Sequence, residues 1–377
     1  MPVPATTPVP APDSPAPDSP APDSPAPDTP APAAHASSVP ASTAPAADAP
    51  EPAPAEADST GVRLSYDATV PRSLVHRASI AEVFVTDSAR TGEESFVVGA
   101  QLPRGHLIGE SSPLYDFTLL VEVVRQAGVL IAHRHLEVRL DSVFIFRNLR
   151  LRTVAFEPLR IGRRPADLRV TVDVRARRNR AGRVQGFTFT GEVQVDGRPA
   201  LRGEGALLIL SEAAYRTLRS RRQVPDHPGF LVPRFTAAEP SAVGRTDARN
   251  VFVTHPVAEG EPGEFSAQLV VDTGHPHVFD HPLDHVPGHL QMEAARQLAV
   301  AAVARRHGVD PYSLAVASIT TDFTDYAELD RITRLRASVE NFRWDEELGT
   351  FVTAVPVAAV QDATVTTAMR LEVAQWA

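Results

Sequence analysis

The chain has no cysteine and no lysine; its 37 basic residues are all arginine. Without cysteine there is no disulfide, no thiolate metal ligand and no thiol nucleophile to carry an acyl group. Without lysine there is no Schiff-base chemistry on a side chain. The accompanying richness in Arg, Ala, Pro and Gly fits a GC-rich genome, so codon usage accounts for the missing lysine. No stretch approaches the roughly 18 apolar residues of a membrane span. The first residues are proline-rich and lack the apolar core of a signal peptide. A soluble, cytoplasmic protein is expected, with no membrane contact.

The net charge of −9 is unevenly distributed. Residues 1–62 hold eight acids and no arginine, together with 18 of the 35 prolines. The repeat "APDSPAPDSPAPDSPAPDTP" (11–30) has no large apolar side chain. Such a segment buries too little surface to offset its chain entropy, so 1–62 is expected to be a disordered, solubilising tail. Setting aside its eight acids leaves 38 of the 46 against 37 arginines. A nearly neutral body argues against nucleic acid as the main partner. The basic runs "RARRNRAGR" (175–183) and "RTLRSRR" (216–222) read as a hairpin tip and a helix end, both solvated.

An internal duplication organises the rest. "AEVFVTD" (81–87) returns as "RNVFVTH" (249–255), and "VEVVRQAG" (121–128) as "MEAARQLA" (292–299). His106 precedes Glu122 by the same interval that separates His277 from Glu293. In each unit, short strands (82–86 and 95–101; 250–254 and 265–271) lead to one helix. Residues 114–132 are apolar nearly all round, as in a buried helix. The second helix starts after Pro287-Gly288 and stops at Gly308. Strands follow each helix. In "DLRVTVDVRAR" (167–177) apolar and polar residues alternate, and Asp196-Gly197 supplies a hairpin turn. One buried helix and five or more antiparallel strands, twice over, predict an α+β tandem hot-dog fold. Each unit is a sheet wrapped around a central helix. The expected boundaries are 63–222 and 245–377, with a linker at 223–244, giving a pseudo-dimer within one chain.

The segment "GHPHVFDHPLDHVPGHLQMEAARQ" (274–297) spaces His277, His281, His285 and His289 four apart. A metal ladder at that spacing needs an unbroken helix. Pro282 and Pro287-Gly288 break it, and H-E-x-x-H is absent. No metal site and no cofactor are expected. His275, His285 and His289 read as loop or surface histidines.

"HVFDHP" (277–282) and "PGHLQMEAARQ" (287–297) resemble the active-site stretch of hot-dog 3-hydroxyacyl-carrier-protein dehydratases. That resemblance puts His277 on the catalytic histidine and Glu293 on the catalytic carboxylate. Two extra residues separate the His-Pro and Pro-Gly elements, and Arg296 is not part of the dehydratase pattern. The duplicated E-x-x-R-Q is more specific. With "LVHRASIAEVFVTD", "YDFTLLVEVVRQAG", "FDHPLDHVPGHLQMEAARQ" and "DFTDYAELD", the chain from about 72 to 375 resembles the A-factor biosynthesis family of γ-butyrolactone synthases. The resemblance implies transfer of a β-ketoacyl group from acyl carrier protein to the hydroxyl of dihydroxyacetone phosphate. The ester then cyclises to a butenolide phosphate.

Such chemistry assigns roles. Glu122 with Arg125, and Glu293 with Arg296, share a helix face at i and i+3 and can pair. A bare buried charge is costly, so an ion pair fixing the packing of the two units is the plain alternative. Glu122 or Glu293, in an apolar tunnel, is expected to have a raised pKa and act as base. Arg125 or Arg296 is expected to grip the phosphate. Backbone N–H groups near Gly288 are expected to polarise the thioester carbonyl. Gln126, Gln297 and His106 are expected at the substrate. One site is expected to combine His277 with Glu122, and its mirror His106 with Glu293. No G-x-S-x-G is present, so direct transfer without an acyl-enzyme is expected. The rivals are a dehydratase or thioesterase acting on acyl carrier protein, and a non-catalytic acyl-ligand binder.

Overall fold

A computed structural model of the chain describes residues 61–110, 112–220 and 232–376. Of the expected tail only residues 61–62 are described, and most of the first half of the expected linker lies outside the described residues.

In the first unit, strands β1 (Val85–Arg90) and β2 (Ser95–Leu102) precede helix α1 (Phe117–His135). Strands β3 (Ser142–Thr153), β4 (Ala166–Arg178), β5 (Val184–Val195) and β6 (Arg198–Ser211) follow, then helix α2 (Glu212–Ser220). The second unit has β7 (Val257–Ala258), β8 (Glu264–Gln268), helix α3 (Gly288–His307), β9 (Leu314–Phe323), β10 (Arg334–Ser338), β11 (Arg343–Asp345), β12 (Thr350–Gln361) and β13 (Thr364–Gln375). The sheet order is β1-β2-β4-β5-β6-β3 in one unit and β7-β8-β10-β12-β13-β9 in the other. Matched element for element, these are the same order. Antiparallel pairing of β3 with β9, Leu151 opposite Ile319, joins them into one continuous sheet. This is the tandem hot dog expected from the duplication.

Each wrapped helix is apolar because sheet covers it. Leu119, Leu120, Leu130 and Ile131 of α1 are buried with Leu168, Leu201 and Leu207 of the sheet. Residues of β4 alternate as expected, with Leu168, Val170, Val172 and Val174 inside. At the β5–β6 hairpin Asp196 and Gly197 both have positive φ, 48° and 75°. That is the geometry for which an Asp-Gly pair is suited.

The two wrapped helices begin differently. Asp116 caps α1 through its side chain, which accepts the Thr118 N–H at 2.8 Å. Expected from residue 114, the helix starts at Phe117 because Leu114 is taken into a β-bridge with Arg160. Pro287 precedes α3 and gives no side-chain cap. The free N–H groups of that first turn, the positive end of the helix dipole, remain available.

The strands expected at 82–86 and 250–254 form differently. Ile80–Glu82 and Ala248–Asn250 are short 3-10 turns, capped by the Ser79 and Asp247 side chains. Beyond each turn the backbone is held by a helix glutamine. Gln126 accepts the Phe84 N–H (2.9 Å) and donates to the Glu82 carbonyl (2.7 Å). Gln297 accepts the Phe252 N–H (2.8 Å) and donates to the Asn250 carbonyl (2.6 Å). The side-chain amide imitates a neighbouring strand, so the segments lie extended without full ladders.

Candidate active site

Two pseudo-equivalent clefts lie where each helix meets the loops of the other unit. In the first, Glu122 of α1 is 1 % exposed and saturated with donors. Its Oε1 accepts from Arg77 Nε (2.8 Å), Arg125 Nη2 (2.8 Å) and Gln126 Nε2 (2.6 Å). Its Oε2 accepts from Arg125 Nε (2.8 Å) and is ion-paired with Arg77 Nη2 (2.6 Å). In the second, Glu293 of α3 repeats the pattern. Arg245 Nη2 (2.6 Å), Arg296 Nη2 (2.8 Å) and Gln297 Nε2 (2.7 Å) converge on its Oε1. Arg296 Nε and the Thr118 hydroxyl, each at 2.8 Å, donate to its Oε2.

This arrangement overturns the expectation of a carboxylate with a raised pKa. Burial opposes the charge of Glu122, but Arg125 and Arg77 outweigh it and hold the carboxyl well below the usual range. Burial opposes the charge of Glu293 too, and Arg245 and Arg296 lower it likewise. Both carboxylates stay ionised and crowded by arginine donors, so neither suits a base. The expected ion pairs exist, but each is a triad completed by an arginine from outside the helix. Gln126 and Gln297, expected at the substrate, are fully buried and spend their amides on backbone and glutamate.

The clefts differ in what faces the glutamate. Where the second has Thr118, the first has His289. Its buried Nε2 has no hydrogen-bond partner. Burial first, then the charges of Arg77 and His277, keep this imidazole well below its usual pKa, hence neutral. His277 lies beside it, with ring centroids 6.0 Å apart and planes at 76°. His277 Nε2 is also buried without a partner. Its carbonyl accepts from Arg77 Nη1 (3.3 Å), so the expected conjunction of His277 with the Glu122 cleft holds through Arg77. The mirror pairing of His106 with Glu293 does not form. The His106 ring turns away, to 3.4 Å from Glu82 and 5.1 Å from the His277 ring.

A cavity of about 730 Å³ opens beside the first cleft. Arg125, Gly288 and His289 line one part of it, and Phe144, Phe146, Leu208, Leu210, Met292 and Phe323 make an apolar wall. This is the size and character of a small-molecule site. Beside the second cleft, Arg245 and Arg296 line a cavity of only about 170 Å³. There Asp116 neutralises Arg245 at 2.8 Å while capping α1.

Two other histidines of the 274–289 segment are held by hydrogen bonds. His275 is buried, with Nε2 on the Asn250 side chain (3.1 Å) and Nδ1 accepting the N–H groups of His277 and Val278. Burial pushes it down to about 4. His285 Nδ1 lies 2.7 Å from Asp284. Arg219, expected to be solvated, is 5 % exposed and clamps Asp284 and Glu328. Arg221 and Arg222 lie outside the described residues. Glu82, His106 and His277 are of metal-binding type, with ligand atoms within 4.8 Å of one another. Hydrogen bonds already account for their closeness.

The family model for the A-factor biosynthesis hotdog domain matches residues 63–211 and again 229–373. The chain belongs to the A-factor biosynthesis hotdog family. It is similar to the 2-oxo-3-(phosphooxy)propyl 3-oxoalkanoate synthase of Streptomyces virginiae, with 36% identity over 70% of this chain and 85% of that one. The synthase of the same name from Streptomyces coelicolor is 32% identical over 72% of this chain and 82% of its own. Among solved structures, a pyran synthase domain from module nine of the sorangicin pathway overlaps loosely, at TM-score 0.45 and 14% identity, over 78% of this chain and 98% of that one. No helix among the described residues is long and apolar enough to cross a membrane.

Ionised, buried carboxylates in this hotdog protein predict acid lability. Burial works against the Glu82 charge, but bonds to His106 and His277 lower its pKa from 4.5 to about 2. Glu122 and Glu293 shift the same way. A depressed folded-state pKa stabilises fully above the unfolded value and loses that contribution as pH falls through the folded one. Urea midpoints are expected to be flat through the carboxylates down to about pH 5 and to fall steeply from 4.5 towards 2. A midpoint unchanged at pH 3 counts against the triads.

Proposed function

We propose that the chain transfers a β-ketoacyl group from acyl carrier protein to the hydroxyl of dihydroxyacetone phosphate, in the cleft of Glu122. The ester formed is a 2-oxo-3-(phosphooxy)propyl 3-oxoalkanoate, which cyclises to a butenolide phosphate. The observation that carries the choice of cleft is the pair of partner-free imidazole nitrogens, on His277 and His289, beside a cavity with an apolar wall. The acyl chain lies along Phe144, Phe146 and Leu208. The uncapped first turn of α3 at Gly288 receives the thioester carbonyl, and Arg125 holds the phosphate. His289, with His277 behind it, takes the hydroxyl proton. Glu122 keeps the two arginines placed and balances the imidazolium that forms. Glu293, Arg296 and Gln297 hold the other cleft closed and are structural in this reading. His106 acts on His277 and not on substrate.

Mass spectrometry of the products of purified protein, a β-ketoacyl carrier thioester and dihydroxyacetone phosphate tests the proposal. An ester that requires dihydroxyacetone phosphate is expected. Hydration or plain hydrolysis of the thioester marks a dehydratase or thioesterase, and unchanged thioester a binding protein. A stable acyl adduct on the protein rules out direct transfer.

A further inference from the structure

We infer that Glu82 is a positioning residue that fixes the tautomer of His277, leaving its bare Nε2 beside the His289 base, and that Asn250, its counterpart, gives the second cleft no such imidazole. The inference rests on the proposed reading of the Glu122 cleft.

Glu82 ends the short turn Ile80–Glu82, and Gln126 holds its carbonyl. The carboxylate reaches the loop of the other unit. Its Oε2 is 2.7 Å from His277 Nδ1, and its Oε1 is 3.4 Å from His106 Nε2. His106 Nδ1 accepts the Ile108 N–H at 3.3 Å, so its proton sits on Nε2 and points at Glu82. An ionised carboxylate accepts only, so the tautomer of His277 that it selects carries the proton on Nδ1. The lone pair then lies on Nε2, the buried atom without a partner.

The second unit is an internal control. Asn250 ends its turn as Glu82 does, and Gln297 holds its carbonyl at 2.6 Å. Its amide, however, donates to the Leu107 carbonyl (2.6 Å) and to Glu110 (2.8 Å). Its oxygen faces His275 Nε2, and both nitrogens of His275 are engaged. An amide, which both donates and accepts, also cannot select one tautomer of an imidazole as a carboxylate does. The same backbone framework therefore carries a carboxylate–imidazole dyad on one side and a closed hydrogen-bond network on the other.

In the transfer the hydroxyl O–H bond breaks as oxygen attacks the thioester carbon. The proton goes to His289 Nε2 and Glu122 balances the positive ring, while His277, its tautomer fixed by Glu82, presents a bare Nε2 beside that ring instead of a second N–H. The C–S bond then breaks and the proton passes from His289 to the departing thiolate, restoring the neutral imidazole.

Two measurements on the full chain test this. In histidine-labelled wild-type protein, nitrogen-15 NMR is expected to show His277 protonated on Nδ1 and bare on Nε2. Glu82→Gln is expected to lower kcat about 10²–10⁴-fold, as loss of an orienting carboxylate does, with KM for dihydroxyacetone phosphate within about threefold. Glu82→Asp is expected to recover part of the rate. His277 protonated on Nε2 overturns the inference, as does Glu82→Gln at full kcat. A stoichiometric metal ion coordinated by His277 Nδ1 overturns it too. The tautomer is read on wild-type protein, so an unfolded variant leaves the test standing. Should wild-type protein make no ester, the functional reading fails, while the tautomer measurement still decides the dyad.

Discussion

His289→Gln is expected to lower kcat about 10²–10⁴-fold while the melting temperature barely moves, the usual contribution of a general base. His289 is the second residue of α3, on the wall of the 730 Å³ cavity. Its Nε2 makes no hydrogen bond that the substitution would break. Glutamine retains a polar head of similar reach but no proton affinity near neutrality. Burial and the neighbouring Arg77 keep the ring neutral, so it is already in the accepting form. The close ionised Glu122 offsets the charge it gains. Thr118→Val is the matching change in the other cleft. It removes the 2.8 Å bond to Glu293 and is expected to cost about 1 kcal/mol of stability, with kcat unchanged. Product mass spectrometry under saturating substrates, beside thermal melts, measures both. Full activity in His289→Gln sinks the assignment.

The fold was legible because the chain states it twice. Two long helices, the first apolar nearly all round, two E-x-x-R-Q motifs and alternating strands repeat at nearly constant spacing, and a wrapped sheet covers such a helix. That His277, Glu122, Arg125 and Gly288 lie close to one cleft follows from motif and resemblance. Arg77 and Arg245 were passed over, though a signal existed. Each stands five residues before the Glu82 or Asn250 that opens a V-F-V-T phrase. An arginine repeated with no acid beside it needs a partner brought by the fold. Glu82 lies in the same phrase, but its role depends on a loop 195 residues away. His289 reads as a loop or surface histidine from the sequence, since its equivalent in the first unit is a threonine and the repeat does not single it out. The direction of each imidazole, and so the choice between clefts, follows from packing across the two units. Spacing along the chain does not encode it.

The same asymmetry separates the two glutamates, which the motif treats alike. Glu122→Gln leaves the buried Arg77 and the part-buried Arg125 beside a neutral amide, and breaking a buried pair costs about 3–5 kcal/mol. Glu293→Gln strands Arg245 and Arg296, but Arg245 keeps Asp116 at 2.8 Å and the Ile108 carbonyl at 2.6 Å. The loss is therefore expected to be smaller, about half as large on the same scale. Activity is expected to part the two further. Glu122→Gln, in protein that remains folded, shifts both Arg125 and the field at His289, so kcat and KM for dihydroxyacetone phosphate both worsen. Glu293→Gln, assayed well below its lowered melting temperature, keeps kcat within about threefold. Urea unfolding and steady-state product formation on both variants measure these effects. If Glu293→Gln is folded yet inactive while Glu122→Gln turns over, catalysis belongs to the smaller cleft and the roles of the two units exchange. If both lose activity only in proportion to folded fraction, the triads are structural on both sides, and the chemistry rests on the imidazoles alone.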